Sequence, residues 1–261
     1  MTEKPVIEIL WTGGFDSSFR VTQLSMLPVI IQPYYLSDQR PSENMELNAI
    51  GGITKLIKAK SASQCELLAL KYIQIKERIK SQEITDAFER IKKHHHLGTQ
   101  YDWLGCFASL HTGIEIGILT GGHWTKILNK YGKLIMMSNK VFGDYYIVDT
   151  KHSSDDFNTL FQHYRFPIAA MTKLELKKKY IDWGYEDIMN LTWFCFNPID
   201  GEPCGECNPC KITIESGLKE RIPKSGQRRY LRRKYFSPLL KFESKIIKIY
   251  KRVIRKIRYF C

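Results

Sequence analysis

The chain has 261 residues, of which 43% are hydrophobic, enough for one large or two small domains with a proper core. Its first ten residues lack the apolar centre of a signal peptide, and no segment approaches the roughly 18 apolar residues of a membrane span. These features predict a cytoplasmic protein and argue against a secreted or membrane-spanning one. The seven cysteines fit a reducing compartment, because four are clustered with metal-ligand spacing and three are scattered.

The formal net charge of +13 is concentrated at one end of the chain. Residues 219–261 contain 16 of the 40 lysines and arginines but only two acidic residues, so the rest of the chain is almost neutral. This distribution predicts a folded body over residues 1–215 and a separate basic tail over residues 216–261.

The chain is predicted to begin with a strand, a glycine turn and a helix. Residues 6–11 are largely apolar and indicate a buried strand, Gly13 and Gly14 form the turn, and the helix follows directly. Two glycines let the backbone approach a ligand closely, and the first turn of a helix offers unpaired N–H groups. The segment therefore predicts an anion site, with phosphate as the expected ligand. It lacks the Lys-Ser/Thr pair of a Walker loop and the third glycine of a dinucleotide-binding turn.

A second buried strand is predicted over residues 29–36, and Pro33 suggests that this strand lies towards a sheet edge. Arg40 then follows the carboxyl end of the strand, where open α/β sheets bind their ligands, so it is either a ligand contact or a solvated side chain. A helix is predicted over residues 43–60, followed by a polar, lysine-rich helical stretch over residues 63–96.

The second half of the chain continues the same alternation of helices and strands. Residues 97–119 predict a helix and then a strand over residues 114–119, and residues 145–150 predict another strand. Thr172 and Glu175 have the spacing of a capping box that opens a helix ending near residue 183. Lys173 in the first turn is unfavourable against the helix dipole unless it faces an anion. The overall pattern is typical of an α/β fold with a parallel sheet.

Four cysteines form the second strong motif, and they are Cys195, Cys204, Cys207 and Cys210. Their spacing and the intervening Gly, Pro and Asn residues suit four thiolates around one tetrahedral metal ion. With four protein ligands no position is left for a catalytic water, so the site is predicted to be structural. The pattern favours zinc, and an iron–sulfur cluster remains the alternative.

The sequence TGGFDSS at residues 12–18 resembles the pyrophosphatase loop (PP-loop) of the N-type ATP pyrophosphatases. Together with the Thr-Lys-x-Glu helix and the TWFC and CGxCxxC segments, it resembles 7-cyano-7-deazaguanine synthase over residues 5 to about 215. This resemblance implies a doubly wound parallel sheet of the adenine nucleotide alpha hydrolase type, with a zinc knot at residues 195–210. It also implies a ligase that uses ATP and Mg²⁺ to adenylate a carboxylate and then transfers ammonia to it.

The resemblance also assigns site residues. The loop residues Thr12, Gly13, Gly14, Phe15, Asp16, Ser17 and Ser18 would form the ATP site. The hydroxyl and glycine positions would bind phosphate, Asp16 would orient the loop or a magnesium ion, and Asp16 and Ser17 would be catalytic. Gln100, Tyr101 and Lys173 would line the nucleotide pocket together with Arg40. The family's Asp-Tyr-Ser-Gly-Tyr-Pro-Asp-Cys-Arg segment is absent between residues 122 and 166, so the acceptor carboxylate stays open. Family members are often homodimers, which is the assembly expected here.

Two other functions stay open: a transfer-RNA thiolation enzyme of the same superfamily, and a non-catalytic nucleotide-binding protein. The tail has its own alternatives. Residues 237–260 predict a basic amphipathic helix suited to peripheral contact with the inner membrane face, and the same apolar stripe could pack on the body or on a dimer partner. Nucleic-acid binding by residues 228–235 ranks lower, because these cations lack a second structured surface in the sequence pattern.

Overall fold

The structure is a computed structural model that describes residues 3–75 and 80–235. The chain divides into two compact units, with the boundary between Phe194 and Cys195. The cysteine segment therefore groups with the residues that follow it. The amphipathic helix predicted over residues 237–260 lies outside the described residues. Among the helices of the described part, none is long and apolar enough to cross a membrane.

The first unit is built on a parallel β-sheet. Its strands are β1 (Val6–Leu10), β2 (Ile30–Ser37), β3 (Glu66–Leu67), β4 (Lys71–Gln74), β5 (Ile114–Glu115), β6 (Leu134–Met137), β7 (Tyr145–Val148) and β8 (Tyr164–Arg165). The main sheet has the order β3-β2-β1-β5-β8 with every pair parallel, and β4 also pairs with β2. β6 and β7 form a separate antiparallel pair. The prediction of an α/β fold with a mostly parallel sheet is confirmed.

Helices cover both faces of this sheet. They are α1 (Phe15–Ser25), α2 (Glu43–Ala59), α3 (Gln82–Lys92), α4 (Gln100–Leu110), α5 (Gly122–Tyr131), α6 (Asp155–Phe161), α7 (Lys173–Asp182) and α8 (Glu186–Asn190). Successive side chains of a strand point to opposite faces. On β2, Tyr34 packs against Phe107 of α4, whereas the Tyr35 hydroxyl donates to Glu46 of α2 at 2.8 Å. Helices α3, α4 and α6 pack together on one side, and α1, α2, α7 and α8 pack together on the other.

β2 is not at the sheet edge, so the interpretation of Pro33 was wrong. β1 pairs along one side of β2, and β3 and β4 share the other side. A proline is tolerated there because β3 pairs only with residues 30–31 and β4 only with residues 34–37. Pro33, which has no N–H to donate, lies at the break between the two ladders. The rest of β2 is buried, as expected for a strand covered on both faces.

Two other predictions need correction. Within the described part of residues 63–96 the α-helical segment is α3, and Lys71–Gln74 forms a strand that pairs with β2. The strand predicted over residues 114–119 ends at Glu115, where the chain leaves the sheet. The strand predicted over residues 145–150 is present as β7, although it pairs antiparallel with β6.

A buried ion pair joins α1 to β5. Arg20 donates from Nε and Nη2 to the two carboxylate oxygens of Glu115, each at 2.7 Å, and from Nη2 to the Phe142 carbonyl at 3.1 Å. Arg20 is 1% exposed and Glu115 is fully buried. Sequence analysis did not find this pair. The pair therefore connects α1, the helix that follows the glycine turn, to β5, which is the neighbour of β1 in the sheet.

The described part of the second unit, residues 195–235, contains the four cysteines and the helices α9 (Asn208–Glu215) and α10 (residues 224–235). A short 3₁₀ turn, Lys219–Arg221, joins them. Leu218, Ile222 and Tyr230 are buried beside the cysteines, and the Tyr230 hydroxyl donates to Glu215 at 3.0 Å. Among residues 195–235 the buried apolar core is small.

Candidate functional site

The glycine turn after β1 is held in place from two sides. Gly13 has φ of +67°, and a Cβ at this position would lie 2.6 Å from the Glu46 carbonyl oxygen of α2. The Trp193 amide donates to the Gly13 carbonyl at 2.9 Å. Glycine is therefore required at residue 13 both for its left-handed backbone conformation and for the close approach of α2.

The amino terminus of α1 faces the turn with uncapped backbone groups. Gly14 is the N-cap in an extended conformation, and no side chain caps the helix. The first helical bond runs from the Ser18 amide to the Gly14 carbonyl at 3.0 Å. For the amides of Asp16 and Ser17, no hydrogen-bond acceptor exists among residues 3–75 and 80–235. Unpaired N–H groups at the positive end of a helix dipole form a site suited to an anion.

Lys173 comes to the same place from the start of α7. Its Nζ forms an ion pair with Asp16 Oδ1 at 3.0 Å, and both side chains remain partly exposed. The predicted capping box of α7 is confirmed: Thr172 Oγ1 accepts from the Glu175 amide, and the Glu175 carboxylate accepts from the Thr172 amide. A lysine in the first turn opposes the dipole of its own helix, so its position is stabilised by the neighbouring carboxylate. The structure thus brings together two predicted site residues that are far apart in sequence.

The loop after β5 closes the other side of the turn. A Cβ at Gly117 would lie 2.8 Å from the Ser17 amide nitrogen, and the Thr120 amide donates to the Met171 carbonyl just before α7. β1 and β5 are adjacent, and from this pair the strand order runs outward in both directions. Ligands of open α/β sheets bind at this kind of switch point, outside the carboxyl ends of the strands.

Sequence reasoning missed Gly117 and Trp193 as parts of the site. A glycine inside a segment that otherwise indicates a strand is a signal for close backbone approach, so Gly117 could have been found. For Trp193 the side chain carries no such signal, because its contact with the turn is made by the backbone amide.

The remaining loop residues have different environments. Thr12 is half-buried in the turn, and the Phe15 ring is buried, with Lys173 Nζ 5.2 Å from its centroid and Tyr180 packed edge-on. The Ser17 hydroxyl makes one long contact with the Gly14 carbonyl, at 3.5 Å. The Ser18 hydroxyl is fully buried and accepts from the Trp11 indole at 2.9 Å, so its side chain helps to fix α1 on the sheet.

Arg40 lies past the carboxyl end of β2, as predicted, but it is already paired. It binds Asp38 at 2.7 Å and lies 3.8 Å from Glu46, the residue whose carbonyl contacts the turn. Burial alone would lower the pKa of Arg40, but the Glu46 and Asp38 carboxylates outweigh burial and raise it. Arg40 therefore stabilises the carboxylates behind the turn.

Gln100 and Tyr101 open α4 in the other helical layer. The Tyr101 ring packs against Phe161 and Trp124, and burial raises the pKa of Tyr101 to about 12. Within the described ranges no hydrogen bond or ring contact joins either residue to the glycine turn. Their assignment to the nucleotide pocket stays a prediction.

The four predicted metal ligands come together in the second unit. The sulfur atoms of Cys195, Cys204, Cys207 and Cys210 all lie within 4.8 Å of one another. The Cys204–Cys210 and Cys195–Cys207 sulfur distances are 3.9 and 3.8 Å. Tetrahedral zinc with Zn–S bonds of about 2.3 Å requires sulfur separations of about 3.8 Å. Two of the sulfur separations already match this value and the others do not exceed 4.8 Å, so the cluster could hold a metal ion such as zinc.

Backbone amides donate hydrogen bonds to the sulfur atoms of the cluster. The Cys204 amide donates to Cys195 Sγ at 3.2 Å, and the amides of Glu206 and Cys207 donate to Cys204 Sγ at 3.3 Å. The pKa of Cys207 is lowered, first by the hydrogen bond from the Cys210 thiol and then by backbone N–H groups. Burial raises the pKa of Cys195 to about 11, and the hydrogen bond with Cys207 raises the pKa of Cys210. Thiolates are the form that binds metal, so metal binding to this cluster must release protons.

The glycine turn makes a testable prediction for stability. Gly13→Ala should lower the free energy of unfolding by about 2 kcal/mol or more, because the left-handed conformation alone costs a non-glycine residue about 1–2 kcal/mol. Gly51→Ala in α2 is the matched control, since a Cβ there meets nothing within 4 Å and alanine is the better helix former. Urea unfolding should show the two substitutions shifting stability in opposite directions, and equal effects would contradict this account of the turn.

Comparison with known proteins adds no family to these observations. No protein-family model matches the chain, and no curated protein matches it either. Functional inference therefore rests on the geometry of the glycine turn, the Asp16–Lys173 pair and the cysteine cluster.

Proposed function

We propose that this chain is an ATP-dependent carbon–nitrogen ligase of the PP-loop superfamily, similar to 7-cyano-7-deazaguanine synthase. The observation that carries the proposal is the meeting of three features at the switch point of the sheet. These are the glycine turn, the uncapped amides of Asp16 and Ser17, and the ammonium group of Lys173. Backbone donors, a helix dipole and one cation are together suited to the phosphate chain of a nucleotide.

In the proposed reaction, a substrate carboxylate oxygen attacks the α-phosphorus of ATP and the bond to the β-phosphate oxygen breaks. Pyrophosphate leaves and an acyl-adenylate forms. Ammonia then attacks the acyl carbon, and AMP departs with the bonding electron pair. The glycine turn and the start of α1 would hold the β- and γ-phosphates, so that charge on the leaving pyrophosphate is stabilised as it develops.

Asp16 and Lys173 would act as a pair in this reaction. Asp16 holds the Lys173 ammonium at 3.0 Å beside the helix terminus, which positions the cation for an incoming phosphate. Mg²⁺, which enters with ATP, would neutralise phosphate charge, and Asp16 supplies the type of oxygen ligand that Mg²⁺ prefers. The pair is only partly exposed, so its charges are screened less than those of a surface pair.

The thiolation alternative has less support among the described residues. Cys106 lies on the buried face of α4 and is only 4% exposed, so it is poorly placed to carry sulfur to a substrate. Burial also raises the pKa of Cys65, which lowers its thiolate fraction. The acceptor of the ligase reaction remains a carboxylate of unspecified identity, because the deazaguanine segment of the family is absent.

The proposal is tested by incubating the protein with ATP, Mg²⁺, ammonium and a panel of carboxylic acids. AMP and pyrophosphate should form with at least one acid. Asp16→Ala, Ser17→Ala and Lys173→Gln should each reduce AMP formation by about 100-fold or more, in the range seen when one preorganised charge-stabilising donor is removed. Lys178→Gln, an exposed lysine on the same helix, is the control and should retain full activity.

Two outcomes would contradict the ligase proposal. Release of ADP and phosphate by the unmodified protein would indicate cleavage at the γ-phosphate. ATP binding without any cleavage, across the whole panel of acids, would favour the non-catalytic nucleotide-binding alternative.

A further inference from the structure

We propose that the second unit binds nucleic acid through its phosphodiester backbone, using the outward face of α10. This inference rests on residues 195–235 and does not depend on the ligase proposal. The sequence pattern left the basic segment at residues 228–235 without a second structured surface. In the structure that surface is the cysteine cluster.

One face of α10 is fixed against the cysteine segment. Arg229 Nε donates to the Cys204 carbonyl at 2.8 Å, and Arg233 Nη1 donates to the Glu206 carbonyl at 3.3 Å. A Cβ at Gly205 would clash with the backbone of Gly226 on this helix, and a Cβ at Gly226 would lie 2.7 Å from the Pro203 carbonyl oxygen. The orientation of α10 is therefore set by the metal-binding segment, which determines the side chains that remain on the outer face.

The outer face presents a row of cations at four-residue spacing. Lys224, Arg228 and Arg232 are exposed and lie on successive turns, about 6 Å apart along the helix axis. In the described ranges no hydrogen bond or ion pair involves these three side chains. Over residues 219–235 there are eight lysines and arginines and one acidic residue. The row is therefore strongly positive and is not neutralised by neighbours.

Two apolar side chains flank this row. Leu231 is 49% exposed and Tyr235 is 61% exposed. An exposed tyrosine beside arginines is a suitable surface for an unpaired base, because bases stack on aromatic rings and on guanidinium planes. Arginine also binds phosphate in a bidentate manner, which lysine cannot do.

A lipid surface fits this helix less well. A helix that binds in the membrane interface needs an apolar face to insert among the lipids. On α10 the side of Gly226 and Tyr230 is buried within the unit, and the apolar part of the outer face is confined to Leu231 and Tyr235 beside the row of cations. Charge complementarity with a phosphodiester chain, combined with a fixed helix orientation, therefore favours nucleic acid as the partner.

The test measures binding of the full chain, with its metal, to a fluorescein-labelled 20-nucleotide single-stranded RNA and to DNA of the same sequence. The triple variant Lys224→Gln, Arg228→Gln, Arg232→Gln should bind about 100-fold more weakly at 0.1 M salt. The slope of log Kd against log salt should fall by about 2, because each lost phosphate contact removes about 0.7. The matched control Lys55→Gln, Lys58→Gln, Lys178→Gln removes the same charge from exposed positions of the first unit and should bind within about threefold of the unmodified chain.

A second measurement locates the contact directly. Irradiation with RNA that contains 4-thiouridine should cross-link peptides that include Tyr235. Stronger binding of RNA than of DNA would identify a contribution from the 2′-hydroxyl, and equal binding would indicate backbone recognition alone. Both results agree with the proposal.

Three results would overturn the nucleic-acid proposal. The first is equal RNA affinity for the triple variant and the control variant. The second is cross-linking confined to peptides outside residues 219–235. The third is a loss of sedimentation with phosphatidylserine vesicles in the triple variant while its RNA affinity is unchanged, which would assign the row to a membrane surface. ATP cleavage should be the same in the triple variant and the unmodified chain, so this test and the ligase test can fail separately.

Discussion

Removing the metal from the cysteine cluster is expected to unfold the second unit. The purified chain should contain one zinc ion, and a strong chelator should make residues 195–235 sensitive to protease. Four sulfur atoms within 4.8 Å repel one another as thiolates unless a cation lies between them. Zinc binding in small domains is worth roughly 10–16 kcal/mol and is coupled to folding.

The size of the unit is the reason for such a large effect. Its described core consists of the cysteines with a few apolar side chains, chiefly Leu218, Ile222 and Tyr230. A core of this size cannot offset the conformational entropy of the chain without a metal or a disulfide. The Arg229 bond to the Cys204 carbonyl also depends on the shape of the metal-binding loop, so α10 should be released when the metal leaves.

Cys207→Ser tests the same point without a chelator. It removes one thiolate, and we expect loss of zinc together with protease sensitivity of the second unit. Cys106→Ser and Cys65→Ser are the controls, since both cysteines belong to the first unit and neither is one of the four proposed ligands. A metal-free protein that resists protease as well as the zinc-containing one would contradict the structural role. If the purified protein contains iron and sulfide and absorbs visible light, the four cysteines hold an iron–sulfur cluster instead of zinc.

Local patterns in the sequence were sufficient for the parts of the fold that depend on neighbouring residues. The strand, turn and helix around Gly13 and the capping box at Thr172 follow from short-range rules, and both are present. The cysteine cluster was also predictable, because short spacings between cysteines with turn residues between them are typical of structural metal sites.

The features that could not be predicted from the sequence depend on contacts between residues that are far apart in the chain. Lys71–Gln74 is a four-residue segment within a lysine-rich stretch, and it forms a strand by pairing with a buried strand far earlier in the chain. Pro33 is compatible with an interior strand only because two short neighbours leave a gap beside it. The meeting of Asp16 with Lys173 likewise depends on how α7 packs against α1, which no local pattern encodes.

The Arg20–Glu115 pair illustrates the same limit and leads to the second large effect. Each residue alone resembles an ordinary surface charge, and 95 positions separate them in sequence. In the structure both are buried and form two hydrogen bonds of 2.7 Å. Arg20→Met should lower the free energy of unfolding by about 3–5 kcal/mol, because it leaves the Glu115 carboxylate buried without a partner.

A double substitution separates the cost of an unpaired charge from the value of the pair. Arg20→Met combined with Glu115→Leu removes both charges, and its cost should be well below the sum of the two single substitutions. The exposed pair Arg90–Asp156, also at 2.7 Å, is the control. Arg90→Met should cost less than about 1 kcal/mol, since solvent screens an exposed ion pair. Urea unfolding of the four variants measures these differences. If Arg20→Met costs no more than Arg90→Met, the buried pair does not connect α1 to β5 in the way described.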